Sequence, residues 1–208
     1  MSTQRLVAFV EQVLATAQAG LTYSKDPYDI GRFKALREAA ASYMADGDAV
    51  TEPALAHWFE LDEGYPTPKL DVRAFILDAG QRILLIREKV DGCWTLPGGW
   101  CDIGESPKRC VEREVMEEAG LACRAVRLLA LFDKHCHPHP PQLPHAYKAF
   151  FLCEATGGSL LQDTDETAGA AYFAPGALPA LSTNRVLASQ LALLHRRVQE
   201  QRLDALFD

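Results

Sequence analysis

The sequence predicts an α/β sandwich preceded by a small all-helical domain. In the first part of the chain, apolar residues recur at helical spacing. Residues 63–68 are rich in proline and glycine and read as a linker. After this linker the pattern changes to apolar strands with one helix among them and one at the end. We therefore divide the chain into a helical domain, residues 1–62, and a larger domain, residues 63–208.

Three helices are expected in the N-terminal domain. The first covers residues 2–19 and ends at Gly20, and the second covers about residues 27–45 behind the capping residue Asp26. Thr51 caps a short third helix. A segment of this size cannot bury three amphipathic helices well by itself. We expect it to pack on the following domain or on a second copy of the chain.

In the larger domain, apolar runs predict strands on both sides of one helix. Residues 72–77 and 83–86 are strand candidates on either side of a turn at 78–80, which predicts a hairpin. The other expected elements are strands at about 123–134, 146–155 and 170–174 and a closing helix at 184–201.

Composition limits the classes of protein to which the chain can belong. A net charge of −7 argues against a general nucleic-acid or anionic-membrane surface. No apolar run reaches membrane-spanning length, and the N-terminus lacks the features of a signal peptide. The six cysteines form no C-x-x-C pair, so we expect reduced thiols. These features favour a cytoplasmic protein without a membrane or specific nucleic-acid partner.

The segment from Gly99 to Leu121 contains the clearest helix of the chain. Ser106 is a capping residue, Pro107 suits the first helical position, and Gly120 suits a left-handed helix end. About three turns of helix are therefore expected between them.

This helix places several carboxylates on one face. Glu114, Glu117 and Glu118 are spaced i, i+3, i+4, and an apolar face of valine and alanine lies beside them. Clustered carboxylates repel each other unless a cation is present, and oxygen ligands suit Mg²⁺ or Mn²⁺. The preceding glycines Gly98 and Gly99 let the backbone approach a ligand and offer it a carbonyl oxygen. Arg113 is placed to orient neighbouring glutamates.

A solvated acidic helix face is the simpler interpretation of such a glutamate run, but it does not explain the spacing. The stretch fits G-x5-E-x7-R-E-U-x-E-E-x-G-U, where U is aliphatic, at every position. It resembles the Nudix box of hydrolases that act on a nucleoside diphosphate linked to another moiety, X. The resemblance implies a mixed-sheet α/β/α Nudix sandwich, with products of a nucleoside monophosphate and phosphorylated X.

The resemblance also implies roles for the box residues. Glu114 and Glu118 correspond to metal ligands, and Glu117 to a ligand or a water-positioning group. A backbone carbonyl at Gly98 or Gly99 is a further metal contact. The supporting residues are Glu105 and Arg113.

The resemblance extends to most of the chain. Residues 18–40 are similar to the N-terminal helical domain of a Nudix subfamily that includes CDP-choline and ADP-ribose hydrolases. Residues 65–73, 94–100, 133–135 and 147–148 add to the match. In that subfamily the helical domain supports a homodimer, so a homodimer is expected here.

Outside the box, candidate residues have competing interpretations. Glu166 lies in a late loop and is a candidate for the group that positions the attacking water, although acidic residues in turns are usually only solvated. Trp94 flanks the glycine loop and is expected in the core. The candidate substrate contacts are Lys134, His135, Lys148, Trp100 and Arg185. The histidines at 135, 137, 139 and 145 could instead bind a transition metal or belong to a stiff surface loop.

Three functions are compatible with the sequence. The first is a hydrolase of CDP-choline or ADP-ribose type, and the second is a nucleotide-pool or dinucleoside polyphosphate pyrophosphatase of the same chemistry. The third is a non-catalytic Nudix-like ligand-sensing regulator, for which a damaged box would be expected. The box is intact, so the sequence favours an enzyme.

Overall fold

The computed structural model describes residues 3–45, 64–142, 144–202 and 204–208. They form two compact units. One contains the N-terminal helices, residues 64–68 and the described residues of 141–145, and the other contains 69–140 and the described residues from 146 onward. The predicted third helix at Thr51 lies outside the described residues. None of the helices in the described ranges combines the length and apolar character that crossing a bilayer requires.

The helical unit consists of two helices, α1 (Thr3–Tyr23) and α2 (Pro27–Ala45). Asp26 caps α2 as predicted, because its Oδ1 accepts hydrogen bonds from the backbone N–H groups of Tyr28 and Asp29 at 3.0 and 3.1 Å. A small core of Val10, Leu14 and Ala40 joins the two helices.

The prediction that Gly20 ends α1 is wrong, because the helix continues to Tyr23. A Cβ atom at Gly20 would lie 2.5 Å from the ring of Phe33 on α2. The glycine is therefore the point where an aromatic ring of α2 reaches the backbone of α1. On α2, the apolar residues Leu36 and Tyr43 are exposed.

The second unit contains seven strands and two α-helices in its described residues. The elements are β1 Lys69–Ile76, β2 Ile83–Glu88, β3 Trp94–Thr95, α3 Pro107–Ala119, β4 Leu121–Asp133, β5 Ala146–Gly158, β6 Thr167–Phe173, α4 Ala188–Gln199 and β7 Leu206–Phe207. The four-stranded sheet has the order β1-β5-β4-β7 and the three-stranded sheet the order β3-β2-β6. β1 pairs in parallel with β5 and β4 in parallel with β7, whereas the other pairs are antiparallel.

The predicted hairpin between the first two strands is wrong. β1 and β2 belong to different sheets, and a single bridge between Leu77 and Ile83 is what joins their ends. Both strands are almost entirely buried, which is typical of central strands covered on both faces. The short turn brings the chain from one sheet into the other.

Alternation along the central strands divides the core into two layers. Val72 and Ile76 on β1 pack in the cluster that contains the apolar face of α3. Phe75, between them, packs in the cluster that contains Leu191 and Leu194 of α4. Since side chains alternate across a strand, one helix covers each face, and the predicted α/β/α sandwich with a mixed sheet is confirmed.

Candidate active site

Local signals define α3 as the sequence predicts. Ser106 Oγ accepts a hydrogen bond from the backbone N–H of Arg109 at 3.3 Å, and Pro107 occupies the first turn. Gly120 ends the helix with φ = 74°, in the left-handed region. The cap and the stop therefore set where α3 begins and ends.

The carboxylates of α3 are not equally exposed. Glu114 and Glu118 are buried beside the apolar face, with 9% and 5% of their surfaces exposed. The Glu117 side chain is 57% exposed. The buried pair is therefore the inner part of the acidic face, and Glu117 forms its outer edge.

The glycine loop lies directly against this pair. The backbone N–H of Gly98 donates a 2.7 Å hydrogen bond to Glu118 Oε2. A Cβ atom at Gly98, whose φ is 141°, would lie 2.0 Å from the Val72 carbonyl oxygen. A Cβ atom at Gly99 would lie 3.1 Å from Glu114 Oε1. Both positions leave little room for a side chain, so the structure places the backbone of this loop directly against the two glutamates.

Arg113 contacts three carboxylates of the site. Its guanidinium nitrogens lie 3.0 Å from Glu105, 3.0 Å from Glu114 and 2.7 Å from Glu117. The hydrogen bond from Arg113 holds the pKa of the Glu105 carboxyl below its usual range. The guanidinium group therefore connects the loop before α3 with the helix face.

Burial disfavours ionisation of the inner carboxylates. It raises the pKa of Glu118 to about 8, against the lowering effects of Arg73 and the Gly98 N–H group. Burial also raises the pKa of Glu114. Two buried carboxylates beside a backbone loop form an oxygen donor set whose charge a divalent cation would neutralise. The residues present therefore fit Mg²⁺ or Mn²⁺.

Three charged residues beside this site were not predicted. Asp71, Arg73 and Glu88 lie on β1 and β2 and are buried. Arg73 lies close enough to Glu118 to lower the pKa of that carboxyl, and Glu88 close enough to raise it. Their sequence signal is a charged residue inside or at the end of an otherwise apolar strand, where charges are rarely buried without a partner.

Glu166 is placed at the end of α3. It is exposed, and its neighbour Thr167 is buried and donates a 2.9 Å hydrogen bond from Oγ1 to the Glu118 carbonyl oxygen. The pKa of Glu88 is raised mainly by burial, and the like charge of Glu166 contributes to the same shift. The structure thus brings the loop that carries Glu166 to the buried carboxylates.

The predicted substrate-contacting lysines are buried. Lys148 on β5 pairs with Asp71, and 3% of its side chain is exposed. Lys134 is 6% exposed and begins a short 3-10 turn, Lys134–Cys136. The next residue, His135, is exposed, and its backbone N–H is bound to Asp133 Oδ1 at 2.8 Å. Direct contact of these residues with a substrate stays a prediction.

Trp100 and Arg185 lie next to charged residues of the site. Trp100 is 44% exposed, and its backbone bridges to Asp71 on β1. Arg185 precedes α4, and its Nε atom lies 2.8 Å from Glu88 Oε1. Trp94 is half-buried and packs against the α4-side core cluster, in agreement with the expected core packing.

Two histidines of the predicted metal alternative have protein partners. His137 Nε2 lies 3.1 Å from Asp208 Oδ2. His139 is buried, with Nδ1 2.7 Å from the Thr183 carbonyl oxygen and Nε2 3.2 Å from the Gln190 amide nitrogen. These contacts give His139 a neutral form that donates from Nδ1 and accepts at Nε2.

Comparisons with known proteins agree with this fold. Residues 67–194 match the NUDIX domain family, and residues 4–59 match the UDP-X-like, N-terminal oligomerisation domain family. YjhB of Bacillus subtilis (strain 168), provisionally named an ADP-ribose pyrophosphatase, is 42% identical over 95% of this chain and 94% of its own length.

Two solved structures are also similar. An ADP-ribose pyrophosphatase from Streptococcus suis 89-1591 is 41% identical with a TM-score of 0.61, covering 68% of this chain and all of that one. A UDP-X diphosphatase is 30% identical with a TM-score of 0.64, and the match covers both chains completely. With its intact box and these relatives, the chain belongs to the Nudix family and is a pyrophosphohydrolase.

Proposed function

We propose that the protein is a Mg²⁺- or Mn²⁺-dependent hydrolase of a nucleoside diphosphate linked to X, of ADP-ribose or CDP-choline type. The observation that carries this proposal is the buried pair Glu114 and Glu118, against which the loop at Gly98 and Gly99 lies. The names of two similar proteins favour ADP-ribose. The UDP-X diphosphatase adds UDP-linked compounds as candidates.

In this proposal the inner face of α3 holds the metal. Glu114 and Glu118 supply carboxylate oxygens, and a carbonyl oxygen of Gly98 or Gly99 adds a backbone ligand. The Gly99 carbonyl already accepts a 2.9 Å hydrogen bond from the Val72 N–H group, which leaves it one lone pair. The bound cation supplies Lewis-acid polarisation of the diphosphate and a lowered pKa of water.

The outer residues of the site support these ligands. Arg113 fixes Glu105 and Glu114, while the exposed Glu117 is placed to act as a further ligand or to position water. Glu166 is the candidate base that receives a proton from the attacking water, since its loop is attached to the end of α3.

Residues around this centre are proposed to bind the substrate. Trp100 offers an exposed aromatic surface beside the glycine loop. Arg185 can exchange its carboxylate partner for a phosphate, a ligand that suits a guanidinium group. His135 and Lys134, which directly follow β4, are also proposed to contact the substrate. Lys148 is proposed to act on it through Asp71, with which it pairs.

We also propose that residues 1–62 form a domain that makes the enzyme a homodimer. Phe9, Tyr28 and Tyr43 expose 62%, 77% and 59% of their surfaces on the helical unit. Exposed aromatic residues of this kind are enriched at protein interfaces. Light scattering of the full chain at micromolar concentration should give twice the monomer mass, and a monomer would contradict this proposal.

A substrate panel tests the proposed activity. ADP-ribose, CDP-choline, a UDP-sugar, NADH, dinucleoside polyphosphates and nucleoside triphosphates are incubated with Mg²⁺ or Mn²⁺, and the products are separated by chromatography. The expected result is cleavage of one X-linked diphosphate to a nucleoside monophosphate. Preferred cleavage of triphosphates or dinucleoside polyphosphates would favour the alternative pyrophosphatase. Binding of a nucleotide without turnover would favour a regulator.

A further inference from the structure

Arg73 is a buried cation on β1, outside the box. Its side chain is 6% exposed. Its Nε and Nη2 atoms donate to the two oxygens of Asp71 at 2.8 and 3.2 Å, and Nη1 donates to the Leu96 carbonyl oxygen at 3.2 Å. The planar guanidinium fork therefore joins a carboxylate on its own strand to the residue that begins the glycine loop.

The loop after Leu96 runs along β1, and two of its carbonyls, those of Pro97 and Gly99, bond to that strand. The backbone N–H of Ala74 donates to the Pro97 carbonyl at 2.8 Å, and that of Val72 donates to the Gly99 carbonyl at 2.9 Å. Between these two contacts, the N–H of Gly98 points to Glu118 at 2.7 Å. Arg73 supplies the side-chain contact at the start of this series.

Asp71, the anchor of Arg73, is itself held from the neighbouring strand. Lys148 on β5 also donates to Asp71, and the structure places the two residues opposite each other in register. Two cations thus share one carboxylate, which keeps Asp71 ionised despite its burial: together they hold its pKa below the usual range. The ionised carboxylate of Asp71 can therefore accept both charge-assisted hydrogen bonds that hold the Arg73 guanidinium group.

We propose that Arg73 is a positioning residue of the metal site. By bridging Asp71 to the Leu96 carbonyl, it fixes the Gly98 N–H and, through that hydrogen bond, the orientation of the Glu118 carboxylate. This inference rests on the proposed metal-dependent function. Because Arg73 acts through other residues, its loss should weaken the binding of the metal ion. This effect should be measurable without substrate.

Mn²⁺ binding without substrate tests this role. Free Mn²⁺ is measured by electron paramagnetic resonance during titration of the wild type, Arg73→Lys and Arg197→Lys. Lysine keeps the positive charge but cannot bond Asp71 twice and Leu96 as well. Arg197 on α4 is a matched control. Its side chain is also 6% exposed, and its Nη2 atom lies 2.9 Å from Asp204 Oδ2. We expect affinity about 10- to 100-fold weaker in Arg73→Lys and unchanged affinity in Arg197→Lys.

Hydrogen exchange of the Gly98 amide gives a second readout that does not depend on metal. The exchange should be faster in Arg73→Lys than in the wild type and the control. If Arg73→Lys does not fold, as judged by circular dichroism, Asp71→Asn replaces it, because the amide keeps one acceptor for Arg73 and removes the other.

The outcomes separate this inference from the proposed function. A wild type that binds no Mn²⁺ would reject the metal-dependent function, and the inference with it. A wild type that binds Mn²⁺, together with a folded Arg73 or Asp71 variant of unchanged affinity and unchanged Gly98 exchange, would overturn the inference alone.

Discussion

The hydroxyl group of Thr167, at the start of β6, donates a 2.9 Å hydrogen bond to the backbone carbonyl of Glu118, near the end of α3. Thr167 is fully buried, whereas Glu166 directly before it is exposed. Because Glu166 directly precedes this anchored threonine, its exposed side chain can turn toward the metal face by side-chain torsion alone, while the start of the strand stays attached to α3.

This placement predicts that Glu166→Gln lowers kcat with little change in KM. A general base contributes about 10²- to 10⁴-fold to a rate, and glutamine cannot accept the proton. The measurement is kcat against pH on the best substrate. Asp165→Asn is the control, since Asp165 is an exposed acid in the same loop. An unchanged rate and pH profile in Glu166→Gln would remove Glu166 from the mechanism.

Glu118→Gln should separate metal binding from folding. Loss of this carboxylate is expected to lower metal-dependent turnover more than about 100-fold. Loss of a residue that only hydrogen-bonds to a metal ligand already lowers metal affinity or activity about 10- to 100-fold. Glutamine can still accept the Gly98 hydrogen bond. Burial raises the pKa of Glu118 from 4.5 to about 8. The free energy of unfolding of the wild type should therefore fall as the pH rises through this interval, and the neutral variant avoids that loss.

Thermal unfolding at pH 9 without metal checks this second part. The Glu118→Gln variant should have a midpoint at or above that of the wild type, and Mg²⁺ should raise the midpoint of the wild type but not of the variant. Turnover close to the wild-type value would reject the assigned metal face.

Two glycines of the helical unit should respond in opposite ways to alanine. At Gly20 a methyl group would lie 2.5 Å from the Phe33 ring, whereas at Gly31 it would meet no atom within 4 Å. Gly20→Ala should therefore destabilise the α1–α2 pair by about 1–3 kcal/mol. Gly31→Ala should stabilise α2 by up to about 1 kcal/mol. Urea unfolding and light scattering compare them, and equal effects would contradict the observed packing.

His139 should make stability depend on pH. Burial lowers its pKa to about 4 from 6.5, so the unfolded chain takes up a proton at a higher pH than the folded one. The free energy of unfolding should be highest above pH 6.5 and should fall toward pH 4, by at most about 1.4 kcal/mol per pH unit.

The variant His139→Asn isolates this contribution. Asparagine can donate to the Thr183 carbonyl but does not titrate. Urea unfolding at pH 7, 6 and 5 should therefore show a wild-type advantage that shrinks as the pH falls. A constant difference between the two proteins would show that His139 does not titrate as the structure indicates.

Local chemistry made α3 and its acidic face predictable from sequence. The capping residue Ser106 and the helix stop Gly120 lie within the segment they define, so no distant contact was needed to interpret them. The shared face of Glu114, Glu117 and Glu118 follows from the same helical geometry, whereas the burial of Glu114 and Glu118 was not predicted. The different exposure of Glu117 does not follow from that geometry, because it depends on how β1 and the glycine loop cover one side of the helix.

Features that depend on distant packing were missed or misassigned. Gly20 has a helix-stop pattern, yet Phe33 from the next helix occupies the space in front of it. The first two strands are separated by a short turn, which favours a hairpin locally, but each finds its partners elsewhere in the chain. Arg73 and Glu88 join the site because separate strands converge there, and spacing in sequence does not encode that convergence.

The pair Asp71 and Lys148 also bears on how the chain finds its fold. The two residues are 77 positions apart and lie on β1 and β5, which run in parallel. Sliding β5 by one residue would place Lys148 opposite Leu70 or Val72 and turn its ammonium group to the other side of the sheet. An unpaired charge buried in this way costs several kcal/mol. The pair therefore penalises a one-residue slip between β1 and β5, so it contributes to the choice of strand register as well as to the site.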